Sequence, residues 1–358
     1  MARAKLGDLL RMMDYPTSVT GEKREIHIEV PLRISFVGGG TDVNPYMQRF
    51  GGSVISCTIS KMVNLKLQST NNDGILIFDE RTQESNLFFQ NTSKENLNSS
   101  LLTGWISSIP EAMRTKLKLE FNSQVLPGSG LGASSAIAIA TCLAANCLKQ
   151  IQLKPHELAV QAYRLERESL QISGGCQDHY AAAFGGLNLF SFENYDSASV
   201  TPFEFDDWLI SSFFANLTLV WTGVSRNSSL ILREQISNSY ANSNTKALDE
   251  QKKLVPYFVS GITSRSLAEL AGLLTESWTI KKSFANGISN AELDSLYRDC
   301  INNGASGGKL LGAGGGGYFL FLSDPNKTQD FRSFLSSTGK TFELVSPISG
   351  IRLNSNVN

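Results

Sequence analysis

Leu126 to Cys142 reads LPGSGLGASSAIAIATC, a glycine-rich turn that runs unbroken into a helix of small and apolar residues. Such a junction leaves the first backbone N–H groups of the helix without internal partners and aims them at open space, which makes an anion site. Gly128, Gly130 and Gly132 let a ligand come close to the backbone, while Ser129, Ser134 and Ser135 offer hydroxyls to a phosphate oxygen or a hard cation. A Gly-Ser loop that merely starts a helix has the same composition. The rest of the chain has to decide between the two.

At 358 residues there is room for two domains of ordinary size, and 41% hydrophobic residues supply a core for each. The 32 Lys and Arg balance 33 Asp and Glu, so no global field draws the chain to nucleic acid or an anionic membrane, and any anion site is local. Five cysteines (Cys57, Cys142, Cys147, Cys176, Cys300) are scattered without CxxC spacing and read as the reduced thiols of a cytoplasmic protein. Three histidines, far apart, make no zinc site. The N-terminal MARAKLGDLLRMM is interrupted by Asp8 and Arg11, so residues 1–24 read as a short amphipathic helix or loose arm rather than a signal peptide. No apolar run reaches membrane-spanning length.

From Glu25 to Val37 the residues alternate, with Ile26, Ile28, Val30, Leu32, Ile34 and Phe36 opposite His27, Glu29, Arg33 and Ser35, the pattern of a strand with one buried face. It ends in GGGTD (Gly38, Gly39, Gly40, Thr41, Asp42), a sharp turn that sets Arg33 on the polar face and Asp42 beyond the tip. A surface arginine and a turn aspartate satisfy the same pattern, but a triple glycine after a buried strand favours a ligand. Short strands are expected at Ser53–Ile59, Met62–Ser69 and Ile75–Asp79, the last two joined by Asn71-Asn72-Asp73-Gly74 as a tight hairpin. A polar loop over Asn91–Ser100, a helix near Leu101–Met113 and a strand through Leu117, Leu119 and Phe121 lead to the opening loop.

The periodicity after it predicts one helix from Pro155 to about Leu170, with Ala159, Ala162, Tyr163, Glu166 and Leu170 on one face. Glu166 is thus a carboxylate on an apolar side and needs a cation or strong donors, which a partner arginine supplies as readily as a ligand does. In SGGCQDHYAAAFGGLNLF (Ser173 to Phe190), Asp178 heads a small-residue segment, the place of a helix N-cap or of a carboxylate beside a phosphate loop. The polar Asn194–Thr201 reads as a linker between a domain over 25–195 and another over 196–353. Beyond it a strand at Asn216–Thr222 and helices at Ser228–Tyr240, Lys246–Val259, Ser266–Lys281 and Ala291–Asn302 are expected. KLLGAGGGGYFLFL (Lys309 to Leu322) is a second glycine-rich turn, suited to close backbone packing or to a hinge. A helix at Asp324–Ser337, a strand at Thr341–Ser346 and a polar tail close the chain.

Two nucleotide signatures fail in context. A Walker loop ends in Gly-Lys-Ser/Thr, but Gly132 is followed by Ala133 and Gly317 by Tyr318. A dinucleotide fingerprint needs an acidic residue for the ribose, and none lies near Lys149–Lys154. The protein-kinase elements are missing as well.

PLRISFVGGGTD (Pro31–Asp42), LPGSGLGASSA (Leu126–Ala136) and KLLGAGGGGYFLF (Lys309–Phe321) resemble the three ordered motifs of the GHMP superfamily of small-molecule kinases. The GGGTD ending, LERESLQISGGCQDHYAAAFGG and WTGVSRNSS most resemble its bacterial D-glycero-D-manno-heptose 7-phosphate kinases. The resemblance implies an α+β, two-domain architecture, with a ribosomal S5 domain 2-like N-terminal domain meeting a ferredoxin-like C-terminal domain at the active-site cleft. It also implies ATP and Mg2+. Residues Pro127 to Ser135, including Leu131, match the phosphate loop; Ser134 and Glu166 match the pair that holds the metal ion. Asp178 and Arg33 match the catalytic carboxylate and its arginine, and Gly39, Gly40, Thr41, Asp42 and Gly175 match the sugar side. Arg226, Lys281, Lys282 and Lys309 are basic residues able to meet a sugar phosphate, or simply solvated charges. Ala133 stands where many relatives have serine and His179 where glutamine is usual, which bears on sugar specificity. A small-molecule sugar phosphate and ATP are the expected partners. The alternatives are a kinase for an unphosphorylated sugar, of the fucokinase or galactokinase type, and a non-catalytic sugar and ATP sensor.

Overall fold

The computed structural model describes residues 24–71, 73–80, 82–89, 104, 106, 109, 114, 116–225 and 228–357. The expectations for the N-terminal arm, for the loop at 91–100, for most of the helix near 101–113 and for Arg226 lie outside them. In chain order the elements are β1 (Arg24–Val37), α1 (Tyr46–Phe50), β2 (Gly52–Ser69), β3 (Ile75–Asp79), β4 (Glu84–Phe88), β5 (Leu117–Ser123), α2 (Ala133–Lys149), α3 (Pro155–Tyr163), α4 (Gln177–Phe184), β6 (Leu187–Asn194) and β7 (Ser197–Phe203). There follow β8 (Leu217–Trp221), α5 (Ser228–Tyr240), α6 (Thr245–Thr263), α7 (Leu267–Lys281), α8 (Ala291–Asn302), β9 (Ala305–Leu310), β10 (Tyr318–Ser323), α9 (Thr328–Ser337), β11 (Phe342–Leu344) and β12 (Arg352–Val357). Strands and helices thus build an α+β molecule around two sheets. One runs β12-β1-β2-β5-β3-β4, with β6 and β7 continuing from β2; the other runs β11-β8-β10-β9.

Several expectations are corrected by long-range pairing. β2 is one strand, because a register shift against β1 between Pro31 and Leu32 bends it where a turn was expected. β2 and β3 form no hairpin: β5 lies between them, antiparallel to β2 and parallel to β3. β4, polar and mostly exposed, carries no alternation to announce it. The stretch expected as an interdomain linker is the turn and body of the β6–β7 hairpin, so the chain leaves the first sheet only after Phe203. The polar tail is β12, which returns to pair with β1. The helix from Pro155 stops at Tyr163 and continues as a wider π turn over Arg164–Ser169.

β1 buries one face through Ile26, Ile28, Val30 and Ile34, as alternation requires. Its second half is covered on the other face too: Arg33, Ser35 and Val37 are also buried. The second domain is the cover. Phe36 stacks on Phe258 of α6 with ring centroids 5.2 Å apart, and one apolar cluster runs from the first sheet into α6 and α7. Burial of a phenylalanine stabilises by about 1.5–3 kcal/mol, so these contacts hold the two domains at a fixed spacing over the cleft. A smaller core, with Trp278, Phe319, Phe321 and Phe331, lies under the second sheet. No helix among the described residues is long and apolar enough to cross a membrane.

Candidate active site

The opening loop ends at Gly132, whose φ of +79° turns the chain into α2 without a side-chain cap. The N–H groups of the first turn are therefore free to meet an anion. β1 holds the loop from beneath, where the Arg33 N–H donates to the Leu131 carbonyl at 3.0 Å. The second glycine-rich turn holds it from the side. A Cβ on Gly312 would lie 2.6 Å from the Gly130 Cα, so the two turns touch backbone to backbone and only glycine fits. Between the domains lies a cleft of about 410 Å³, lined by the phosphate loop, the GGGTD turn, the 172–178 segment and the second glycine turn.

On one side of the loop sits Glu166, fully buried and brought inward by the π turn. Its Oε1 accepts from the Ser134 hydroxyl and its Oε2 from Ser135 at 2.8 Å. The Arg167 guanidinium stands 3.2 Å from Oε1 and His179 Nε2 2.6 Å from Oε2. That His179 contact does not meet hydrogen-bond geometry. Burial works to raise the Glu166 pKa, but Arg167, His179 and the Ser134 hydroxyl outweigh it and hold the carboxyl well below the usual range. An anionic carboxylate and a serine hydroxyl converging at a helix N-terminus form an oxygen donor set that suits a hard divalent cation.

Opposite, Asp178 lies in the first turn of α4 rather than at its cap, which is Cys176. Arg33 grips it through both oxygens, Nε to Oδ1 at 2.7 Å and Nη2 to Oδ2 at 2.8 Å, while Nη1 donates to the Gly130 carbonyl at 2.6 Å. One guanidinium thus ties the carboxylate to the phosphate loop. Asp42, 1% exposed, accepts from the Gly40 N–H at 3.1 Å and from the Gln177 N–H at 3.0 Å. Burial pushes its pKa up, against the pull of the Gln177 N–H. Gly175 has no side chain because a Cβ there would sit 2.0 Å from Asp42 Oδ2.

Gly39, Gly40, Pro127, Gly128, Ser129 and Ala133 line the cleft. Leu131 and Thr41 do not: Leu131 is in the core, and the Thr41 hydroxyl is taken by the carbonyls of Gly38 and Ser53. Lys309 is in the cleft wall but buried, its ammonium donating to the Phe36 carbonyl at 2.7 Å and the Ser277 hydroxyl at 3.1 Å. Lys282 is instead a partly exposed lysine 3.5 Å from Asp294. Arg167 and Gln177 went unread in the sequence. Arg167 spends its other donors on the carbonyls of Ile172, Ser173 and Gly175, and so shapes the segment that reaches Asp42. Its position next to Glu166 and ahead of two glycines was the available signal.

Comparisons with known proteins show the family. The GHMP kinases N terminal domain model matches residues 100–186, and the GHMP kinases C terminal model matches 258–341. A D-glycero-alpha-D-manno-heptose 7-phosphate kinase of Campylobacter jejuni is 33% identical, over 85% of this chain and 91% of that protein. A bifunctional fucokinase/GDP-fucose pyrophosphorylase of Arabidopsis thaliana is 26% identical over 88% of this chain, which spans 31% of that longer protein. Among solved structures, a D-glycero-D-manno-heptose 1-phosphate kinase from Bacteriodes thetaiotaomicron superposes with a TM-score of 0.75, covering 93% of this chain and all of that one, at 24% identity.

Proposed function

The chain belongs to the GHMP kinase family, and on that premise we propose that it transfers the γ-phosphoryl group of ATP to the anomeric hydroxyl of D-glycero-D-manno-heptose 7-phosphate, giving the 1,7-bisphosphate. The observation that carries this is the Arg33–Asp178 pair, fixed to the phosphate loop through Gly130. The phosphate loop and the α2 N-terminus receive the triphosphate. Asp178 accepts the proton of the sugar hydroxyl as its oxygen attacks phosphorus, and ADP leaves with the electron pair of the broken P–O bond. Arg33 offsets charge on the moving phosphoryl group and fixes the angle of Asp178. Asp42 and the backbone of Gly39, Gly40 and Gly175 hold sugar hydroxyls. Ser134 and Glu166 would hold Mg2+, which when bound would neutralise phosphate charge. Five free, buried cysteines accord with a cytoplasmic setting.

A kinase for an unphosphorylated sugar is the second reading, and one observation favours it: Lys309 spends its ammonium on Phe36 and Ser277. A sensor without catalysis has no such support, since Ser134, Glu166, Asp178 and Arg33 meet in one cleft. ADP release measured across free sugars and sugar 7-phosphates decides. Heptose 7-phosphate is expected to give the highest kcat/KM, and equal or better turnover of free fucose or galactose overturns the assignment.

A further inference from the structure

Two lysines face the cleft with no carboxylate partner among the described residues. Lys281 ends α7 and is 7% exposed, its Nζ donating to the carbonyls of Leu310, at 2.9 Å, and Gly312. Lys309, 3% exposed, makes the two contacts already given. An ammonium carries three donors, and among the described residues Lys281 finds two acceptors, both neutral. The two arginines that line the same cleft are answered differently: Arg33 has Asp178 and Arg167 has Glu166. Burial without an opposite charge pushes an amine toward its neutral form, and Lys281 and Lys309 both move that way beside Arg33.

Placement shows where the missing charge belongs. Lys281 bonds the Gly312 carbonyl, Gly312 packs on Gly130, and Arg33 bonds the Gly130 carbonyl from the other side. Lys281 and Arg33 therefore flank the point where the two glycine turns meet. We propose that Lys281 is the counter-cation of a phosphate group bound between the two glycine-rich turns, giving its third N–H to a phosphate oxygen. This rests on the phosphoryl-transfer reading, and it adds a residue to that reading rather than repeating it. The phosphate is the γ-group of the nucleotide or the ester carried by the acceptor; the chemistry at Lys281 is the same.

A consequence can be measured. Burial, and then the Arg33 charge, bring the Lys281 ammonium down to about 7. Of the charged groups near it, β1 presents Arg33, which is paired with Asp178 of α4, and β9 presents Lys309; the uncharged Gln235 of α5 lines the same cleft. A phosphate dianion raises the lysine again, so the complex binds more protons than the free protein. Affinity for that phosphate then falls as pH rises above 7, by up to about tenfold per unit.

Calorimetry in buffers of different ionisation enthalpy at pH 7.5 tests this on the whole chain with magnesium present. The ligands are ADP, a non-hydrolysable ATP analogue, and heptose 7-phosphate. We expect the analogue to take up as much as about three-quarters of a proton more than ADP does, and Lys281→Arg, which stays charged throughout, to lose that excess. If the uptake follows heptose 7-phosphate instead, Lys281 serves the acceptor's phosphate and the proposal stands. No uptake in either arm of the wild type overturns it, as does undiminished uptake in Lys281→Arg. Because the readout is binding, it fails independently of the substrate panel: turnover of heptose 7-phosphate without proton uptake keeps the function and removes this role.

Discussion

Glu166 and Asp178 each face an arginine across the same cleft, yet the first is sealed and the second is open. Glu166 has no exposed surface and four neighbours on its two oxygens; Asp178 keeps a fifth of its side chain accessible and has Arg33 on both oxygens. Their arginines differ in the same sense. Arg167 uses its remaining donors on loop carbonyls, whereas Arg33 bridges its carboxylate to the phosphate loop. Paired charge alone therefore does not set a role. A carboxylate sealed among donors stays anionic, as the proposed ion ligand must, while one left open in the cleft is free to accept a proton from an incoming hydroxyl.

The largest effect expected from breaking this contrast is at the open carboxylate. Asp178→Asn keeps the shape but removes the proton acceptor, and kcat should fall by about 10²–10⁴-fold while binding of a non-hydrolysable ATP analogue is retained. Steady-state kinetics with parallel calorimetry checks it, and wild-type turnover would remove Asp178 from the mechanism.

Glu166→Gln comes next and should act on stability as well as chemistry. Removing one partner of a buried pair costs about 3–5 kcal/mol, and Arg167 and His179 would face an amide. The depressed pKa gives the sign. Charge on Glu166 stabilises the fold above the ordinary carboxylate value of 4.5, and that contribution drains away as pH falls below it. Urea unfolding should therefore show wild type and variant furthest apart near pH 7 and converging under acid. The variant should also need more magnesium for half-maximal rate; equal stability at every pH would reduce Glu166 to a spacer.

The open pair can be sharpened without removing charge. Arg33→Lys keeps a cation but loses the planar fork that holds both Asp178 oxygens and the Gly130 carbonyl at once. Misplacement of a catalytic group by about 1 Å costs on the order of 10²-fold, and the loss should fall on kcat rather than on KM for ATP.

How much of this contrast was legible beforehand follows from the range of the interactions. The glycine-rich turn into α2 is local, so its glycines and the small-residue helix announced it; Glu166 stood out because a charge broke an apolar helical face. Asp178 was visible only as a position near two glycines, and its part as Arg33's partner depends on two segments 145 residues apart. Arg167 was hidden by the π turn, since a regular helix would have aimed it elsewhere. The β3–β5 pairing and the return of β12 to β1 are long-range as well, and neither segment's own composition distinguishes a partner. Lys281 and Lys309 stood in the sequence as basic residues that either meet a sugar phosphate or stay solvated, and no local pattern announced the carbonyls of Leu310, Gly312 and Phe36 that bury them.

The smallest expected effect divides neighbouring serines. Ser134 is exposed at the cleft and Ser135 is 1% exposed, though each donates to one oxygen of Glu166. Ser135 also accepts from Arg167 Nη2 at 3.4 Å, so its hydroxyl belongs to the sealed network. Ser135→Ala removes one internal donor from a carboxylate that keeps three other contacts, and it should cost about 1–3 kcal/mol of stability with magnesium dependence unchanged. Ser134→Ala also takes a donor from Glu166, but at an exposed position where water can replace it, so it should cost less stability than Ser135→Ala while shifting the magnesium titration. Unfolding curves and magnesium titrations of the two variants, run side by side, should therefore move mainly in opposite columns. If both serines moved only stability, the oxygen donor set facing the cleft would shrink to Glu166 alone, too little to hold the ion against the solvent, and the sealed carboxylate would have to be read as a purely architectural anchor for Arg167.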